Sequence, residues 1–134
     1  MPSVELGYTN PFGHGFRPYL ILELTGINQA SGSVIGLLDT GADTTALPQG
    51  YATLMGYETA QLDRIEVGTA AGAAYGWKAM TPCTASVPGA ASVLSTQLMP
   101  TFISSATPLW GRGDVMRMFA LTIEDRAQRF TLSW

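Results

Sequence analysis

The apolar residues of this 134-residue chain come in short runs, and each run soon meets glycine, proline, serine or threonine. Short runs bounded by turn-forming residues are typical of β-strands, which need about four to eight residues where a helix needs about ten or more. The sequence therefore predicts a mostly β fold. The length suits one domain over residues 1–134, with a core large enough to need neither a disulfide nor a structural metal.

The runs and their breaks predict where the elements lie. Strands are expected at residues 19–25, 33–38, 62–67, 75–87, 86–98, 119–123 and 128–133, and residues 109–111 are a further short apolar run that ends at a glycine. After Ser33 the 33–38 run contains no polar side chain, which is typical of a strand buried on both faces. Short helices are expected at 49–55, between Pro48 and Gly56, and at 112–118.

Two further features organise the chain. Residues 62–67 and 75–87 flank a run of small residues, and this pattern predicts a β-hairpin with a tip rich in alanine and glycine. Residues 1–16 contain Asn10, Pro11 and three glycines. Because these residues favour turns, we expect a loop-rich N-terminal arm.

Charge and composition argue against several classes of function. The net charge is −3 and the isoelectric point is near 4.9, whereas a nucleic-acid-binding surface needs a basic patch. Cys83 is the only cysteine and His14 the only histidine. No internal disulfide, no Cys/His zinc site and no cofactor are therefore expected.

The chain is also expected to lack membrane segments. No apolar run approaches the roughly 20 residues that span a bilayer, and residues 1–10 lack the basic and apolar parts of a signal peptide. A cytoplasmic location is therefore favoured over a secreted one. A domain cut from a longer, membrane-bound precursor remains an open alternative.

An aspartate, Asp39, directly follows one of the apolar runs, and Thr40 and Gly41 come next. A carboxylate beside a buried strand is costly unless it has hydrogen-bond donors or a chemical role. The threonine hydroxyl can fix the loop, and the glycine lets the backbone turn and another molecule approach closely. The same triplet is also an ordinary turn sequence, so on its own it leaves both interpretations open.

Three segments taken together are more specific. Residues 34–45, Val-Ile-Gly-Leu-Leu-Asp-Thr-Gly-Ala-Asp-Thr-Thr, resemble the active-site segment of the retropepsin-like aspartic peptidases, the family that includes the retroviral proteases. Residues 108–112, Pro-Leu-Trp-Gly-Arg, resemble the second signature of that family. Between them, residues 69–72 lie where the family has the tip of its flap. The resemblance spans about residues 17–133.

The resemblance implies an all-β, retropepsin-like closed β-barrel or sandwich with one or two short helices. It also implies an aspartic endopeptidase, in which two carboxylates share one proton and activate a water molecule between them. The sequence contains a single Asp-Thr-Gly. The second carboxylate must then come from another copy of the chain, across the two-fold axis of a homodimer. Its substrate would be a peptide or protein.

The family resemblance also implies roles for individual residues. The catalytic residues would be Asp39, Thr40 and Gly41. The residues in contact with substrate would be Gly41, Ala42, Asp43, Ala70, Ala71 and Gly72. Support would come from Gly111 and from a bidentate ion pair of Asp43 with Arg112 beneath the site.

Each of these assignments has a plainer alternative. Asp43 could be a capping residue and Arg112 a solvated side chain, and the hairpin could be a surface feature without a gating role. Many family members carry Asp or Asn directly after this arginine, whereas here Gly113 intervenes before Asp114, which leaves the role of Asp114 open.

Rival functions from other classes must also be weighed. A fold does not guarantee an activity, so a non-catalytic dimeric peptide-binding or scaffold module is the main alternative. A structural β-barrel is another, although it does not predict the Gly-Arg signature. A Cys83–His14 nucleophile pair is disfavoured, since nothing around Cys83 resembles a reactive cysteine and a buried, inert thiol is expected.

Overall fold

The computed structural model describes residues 1–69, 72–105 and 107–134, and most of its elements are strands. The strands are β1 (Ser3–Gly7), β2 (Tyr19–Thr25), β3 (Ser31–Leu38), β4 (Ala46–Pro48), β5 (Leu62–Thr69), β6 (Gly72–Ala79), β7 (Cys83–Ser86), β8 (Ser95–Leu98), β9 (Thr101–Ile103), β10 (Leu109–Trp110), β11 (Ala120–Glu124) and β12 (Arg129–Ser133). The helical elements are α1 (Gly50–Leu54) and single 3₁₀ turns at Thr59–Gln61, Val115–Arg117 and Asp125–Ala127. The predicted all-β class with short helices is confirmed.

The strands form two sheets. Nine strands make one sheet that curls into a half-barrel, in the order β5-β6-β9-β4-β10-β3-β2-β7-β8, and three make a smaller sheet in the order β1-β12-β11. Most neighbours are antiparallel, but β10 lies parallel to β3, with Leu109 opposite Leu37 and Trp110 opposite Leu38. Because parallel strands end at the same sheet edge, the residues that follow β3 and β10 meet there.

The alternation along β2 shows how the core is built. Its leucines face inward and are buried, whereas the residues between them are exposed: Leu20, Leu22 and Leu24 inside, Ile21 and Glu23 outside. This period of two is that of a strand with one face on the core. Trp110 of β10 is fully buried, and its Nε1–H donates to the carbonyl of Leu20 in β2 at 2.8 Å.

The loop-rich arm expected for residues 1–16 is a strand in its first half. β1 pairs with β12 along its whole length, from Ser3 opposite Ser133 to Gly7 opposite Arg129. Its backbone groups are satisfied by a strand at the other end of the chain, which local sequence does not reveal. Turns and bends do occupy residues 11–14.

Four other expectations were wrong in detail. The strand expected over 75–87 is two strands, β6 and β7, separated by residues 80–82. β3 is buried on one face only, because Ile35 and Leu37 stay partly exposed. The strand expected over 86–98 is confined to β8, since Pro88 and Gly89 make a turn in which Gly89 has a φ of 80°. The helix expected over 112–118 is the short 3₁₀ turn that Asp114 caps.

The described ranges contain neither a membrane-spanning helix nor a cluster of metal ligands. None of the helices there has the length and apolar character needed to cross a bilayer. Across residues 1–69, 72–105 and 107–134, no three His, Cys, Asp or Glu side chains are grouped so that they could hold a metal ion.

Candidate active site

Asp39 follows β3 at the sheet edge and is held in a tight turn. Its N–H donates to the carbonyl of Trp110 at 3.1 Å, and its own carbonyl accepts from the N–H of Ala42 at 3.1 Å. Its carboxylate Oδ1 accepts from the N–H of Gly41 at 3.0 Å. The half-buried carboxylate is therefore oriented by one backbone donor, the N–H of Gly41. Thr40 is exposed beside it.

The loop after Asp39 is tied to the segment that follows β10. The carbonyl of Ala42 accepts from the N–H of Arg112 at 2.8 Å, and the carbonyl of Asp43 accepts from the N–H of Gly113 at 2.7 Å. These two bonds place residues 41–43 directly against residues 111–113. The sheet edge thus brings both sequence signatures together.

The predicted Asp43–Arg112 pair is present, but its geometry differs from the expectation. Arg112 Nη2 donates to Asp43 Oδ1 at 2.8 Å, which is a single hydrogen bond rather than a bidentate contact. The side chains are 65% and 85% exposed, so the pair lies at the surface of the chain and not beneath the site. An ion pair this exposed contributes about 1 kcal/mol or less, and the backbone bonds hold the loop.

Gly111 lies where two backbone segments almost touch. It is buried, and a Cβ built on it would lie 2.3 Å from the carbonyl carbon of Thr44 and 2.5 Å from the nitrogen of Thr45. No side chain fits in that space. Glycine is required here for close approach, and its φ is not in the left-handed region.

Two residues of the site have no role assigned from the sequence, which leaves that of Asp114 open and does not single out Thr45. Asp114 accepts hydrogen bonds from the backbone and hydroxyl of Thr45, and Thr45 in turn accepts from the N–H of Gly111 at 3.1 Å. Asp114 carries a recognisable signal, because aspartate is a preferred N-cap and a helical turn follows it. Thr45 carries none, since a buried threonine looks like any other in the sequence.

Asp39 lines a cleft of about 580 Å³. The floor is made by the loop after β3, with Gly41, Ala42 and Asp43. The walls are mainly apolar and come from β5, β9 and β10: Ile65, Val67, Ile103 and Leu109, with Glu66 among them. A cleft with a few polar groups and apolar walls is the usual form of a ligand site.

The expected hairpin is formed by β5 and β6, which pair from Leu62 opposite Ala79 to Thr69 opposite Gly72. Through Ile65 and Val67 it forms one side of the cleft that holds Asp39. Of the flap-tip residues named above, Gly72 begins β6, whereas Ala70 and Ala71 lie outside the described residues.

A second cavity of about 580 Å³ lies between the two sheets, among β1, β2, β3 and β12. Its lining is almost wholly apolar and includes Leu6, Ile21, Ile35, Leu132 and Trp134, with no carboxylate, histidine or cysteine. Size alone would make the two cavities equal candidates. Only the cleft at Asp39 carries a group that can do chemistry.

Cys83 does not have the surroundings of a nucleophile. It is buried on β7, and that burial raises the pKa of its thiol, whereas a reactive cysteine needs a lowered one. Burial also raises the pKa of the neighbouring Tyr57, whose hydroxyl donates to the carbonyl of Thr81 at 2.6 Å. His14 is exposed on the N-terminal arm.

No family model matches the chain, and no curated protein matches it. Among solved structures, the chain is similar to a retropepsin-like aspartic protease from Rickettsia conorii, with a TM-score of 0.63 and 13% identity, over 98% of this chain and 91% of that one. It is also similar to EIAV protease complexed with the inhibitor HBY-793, with a TM-score of 0.51 and 22% identity, over 75% of this chain and 86% of that one. The chain has a retropepsin-like fold.

Proposed function

We propose that this chain is one subunit of a homodimeric aspartic endopeptidase in which each subunit supplies Asp39. The observation that carries the proposal is the placement of the Asp39 carboxylate, half-buried and oriented by the N–H of Gly41, at the floor of a cleft with apolar walls. The solved structures of this fold named above are both called proteases.

The chemistry needs two carboxylates within a few ångströms of each other. Like charges so close do not both ionise, so one proton is shared. The ionised carboxylate takes a proton from a water held between the pair, and that water attacks the peptide carbonyl. The protonated carboxylate first donates a hydrogen bond to the carbonyl oxygen. It then passes that same proton to the leaving nitrogen, while the other carboxylate keeps the proton taken from water. No covalent intermediate forms.

The residues beside Asp39 take the remaining roles in this proposal. Thr40, which is exposed in the single chain, meets its symmetry mate across the two-fold axis and fixes the spacing of the two carboxylates. Gly41, Ala42 and Asp43, which line the cleft floor, contact the substrate backbone. Gly111 and Arg112 support that floor.

The β5–β6 hairpin acts as the flap. Its Ile65 and Val67 form one wall of the cleft, so closure of the hairpin over a bound peptide would exclude water from the reacting carbonyl. The tip, with Ala70, Ala71 and Gly72, has only small side chains, which allow the backbone of the flap to approach the peptide closely. The apolar walls favour substrates with apolar residues on both sides of the cut.

Cleavage of a mixed peptide library, read out by mass spectrometry at acidic and neutral pH, tests the proposal. Asp39→Asn keeps the shape of the side chain and removes the carboxylate, and we expect it to lower kcat/KM by at least about a thousand-fold. Asp125→Asn is the matched control, because Asp125 is exposed and its carboxylate accepts one hydrogen bond, from the Tyr8 hydroxyl. It should cut as the wild type does.

Two results would refute the peptidase. One is a wild-type protein that cuts nothing at either pH, and the other is an Asp39→Asn variant that cuts at the wild-type rate. Peptides that bind the inactive protein without being cut would then identify the rival, a non-catalytic peptide-binding or scaffold module. An uncleavable peptide with a tetrahedral alcohol at the scissile position should inhibit the peptidase, because it imitates the transition state.

A further inference from the structure

We propose that Asp114 is a positioning residue, which sets the orientation of Asp39 through Thr45 and a single peptide group; its effect on the reaction rests on the proposed peptidase function. Asp114 lies outside the signature that points to the site, two positions beyond Arg112 and after an intervening glycine. The link to Asp39 follows from its hydrogen bonds.

Asp114 receives three hydrogen bonds. Its Oδ1 accepts from the hydroxyl of Thr45 at 2.8 Å and from the N–H of Val115 at 2.6 Å, and its Oδ2 accepts from the N–H of Thr45 at 2.9 Å. Thr45 and Val115 are fully buried, and Asp114 itself is half-buried. The carboxylate therefore clamps Thr45 at two atoms while it caps the 3₁₀ turn.

The Thr45 hydroxyl links Asp114 to Gly111. Its Oγ1 donates to Asp114 and accepts from the N–H of Gly111 at 3.1 Å, so both of its hydrogen-bonding roles are in use. The hydroxyl cannot turn away without breaking one of the two bonds. Gly111 is pressed against the backbone of Thr44 and Thr45, which keeps the donor in place.

The peptide group between Trp110 and Gly111 connects Thr45 to Asp39. The N–H of Gly111 and the carbonyl of Trp110 belong to the same planar trans unit and point in opposite directions. Its N–H is held by Thr45, and its carbonyl accepts from the N–H of Asp39 at 3.1 Å. A tilt of this peptide plane at the Thr45 side therefore moves the acceptor that orients Asp39.

An aspartate suits this position better than its amide. All three groups that face Asp114 are donors, and an ionised carboxylate only accepts. In asparagine, one of the two oxygens becomes an NH₂ group. That group would face the N–H of Thr45 or the donors at Oδ1, and either contact sets donor against donor. Asp114→Asn should thus loosen the clamp with little change in size.

The experiment compares kcat and KM for Asp114→Asn, Thr45→Val and Thr45→Ser, with Asp125→Asn as the control carboxylate. Catalytic groups tolerate only about 0.5 Å of displacement, and a shift of about 1 Å costs about a hundred-fold. We expect Asp114→Asn and Thr45→Val to lower kcat by about 10- to 100-fold at similar KM. Thr45→Ser keeps the hydroxyl and should retain most of the rate.

If Asp114 and Thr45 only stabilise the fold, a different result is expected. The midpoint of thermal unfolding would fall, while kcat per folded molecule, measured well below that midpoint, stayed at the wild-type value. Such a result, or a Thr45→Val variant as active as Thr45→Ser, would overturn the proposal. Should Asp114→Asn fail to fold, Thr45→Val carries the same test, because it keeps the carboxylate and removes only the hydroxyl.

A second readout separates this inference from the proposed function. Backbone amide signals in NMR spectra report the hydrogen bond at Asp39 whether or not the protein cuts peptides. In Asp114→Asn we expect the signals of Gly111 and Asp39 to shift, and in Asp125→Asn we expect no shift. An unmoved Asp39 amide refutes the positioning role. If the Asp39 amide shifts in Asp114→Asn but the wild-type protein cuts no peptide, the positioning role stands and the peptidase is refuted instead.

Discussion

Gly111 illustrates how space limits the choice of residue at the site. The backbone of Thr44 and Thr45 lies within 2.6 Å of the position that a Cβ on Gly111 would take. The peptide between Trp110 and Gly111 also carries the hydrogen bond to Asp39. A side chain at this position would have to displace backbone, and the displacement would reach the loop that holds Asp39.

We therefore expect Gly111→Ala to lower the free energy of unfolding by about 3 kcal/mol or more, at the upper end for overpacked sites. Urea denaturation measures the change. The matched control is Gly32→Ala in β3, where φ is likewise outside the left-handed region and an added Cβ meets nothing within 4 Å. It should change stability by about 0.5 kcal/mol or less. Equal effects from the two substitutions would show that the close approach at Gly111 is not maintained in solution.

The sequence identifies some residues of the site and misses others for a physical reason. Asp39 and Gly111 stand in short motifs whose residue types are unusual after an apolar run, so the pattern itself points to them. Thr45 acts through contacts with Gly111 and with Asp114, which is 69 positions away. Contacts between distant segments leave no local pattern, and only the folded chain brings these residues together.

Strands, like the residues of the site, can be predicted when their signal is local in the sequence and are missed when it is not. β2 was predicted with its observed limits, because leucines alternate along it and turn residues bound it. β1 was not predicted, since the strand that it pairs with among the described residues, β12, is at the other end of the chain. Where local alternation is strong the strand can be found, and where pairing alone stabilises the strand it cannot.

β7 carries an ionisable group that faces the core. Cys83 is 3% exposed there, and burial raises the pKa of its thiol above the value of about 8.5 that an unfolded chain has. As the pH rises through that lower value, the unfolded state loses its thiol proton while the folded state keeps it. Above that value the thiol lowers the free energy of unfolding, and this decrease grows until the pH reaches the raised pKa of the folded state.

We expect the free energy of unfolding to fall between about pH 8.5 and pH 10, before the tyrosines titrate. In Cys83→Ala most of this fall should disappear, whatever the change in absolute stability. Thr84→Ala is the matched control, because Thr84 is the exposed neighbour on β7 and the substitution leaves the thiol in place. Chemical denaturation at a series of pH values gives, for each variant, the slope of the free energy of unfolding against pH. The same slope in both variants would exclude Cys83 as the cause.

In the proposed homodimer, the whole chain provides one half of a symmetric site. A single Asp-Thr-Gly occurs in the sequence, and Asp39 with exposed Thr40 lies at the edge where β3 ends. In the proposed mechanism neither chain can cut a peptide alone, because each contributes one of two carboxylates. Activity should therefore depend on which chains pair, and this dependence can be measured by mixing intact and inactive subunits.

We expect Asp39→Asn chains to inactivate wild-type chains when the two are refolded together and assayed at saturating substrate. In an equal mixture about one quarter of the dimers are wholly wild type, so activity per wild-type chain should fall to about half. A roughly nine-fold excess of the variant should leave about one tenth. Co-refolding with Asp125→Asn chains should instead add activity. Activity that does not respond to the Asp39→Asn excess would mean that one chain carries a complete site.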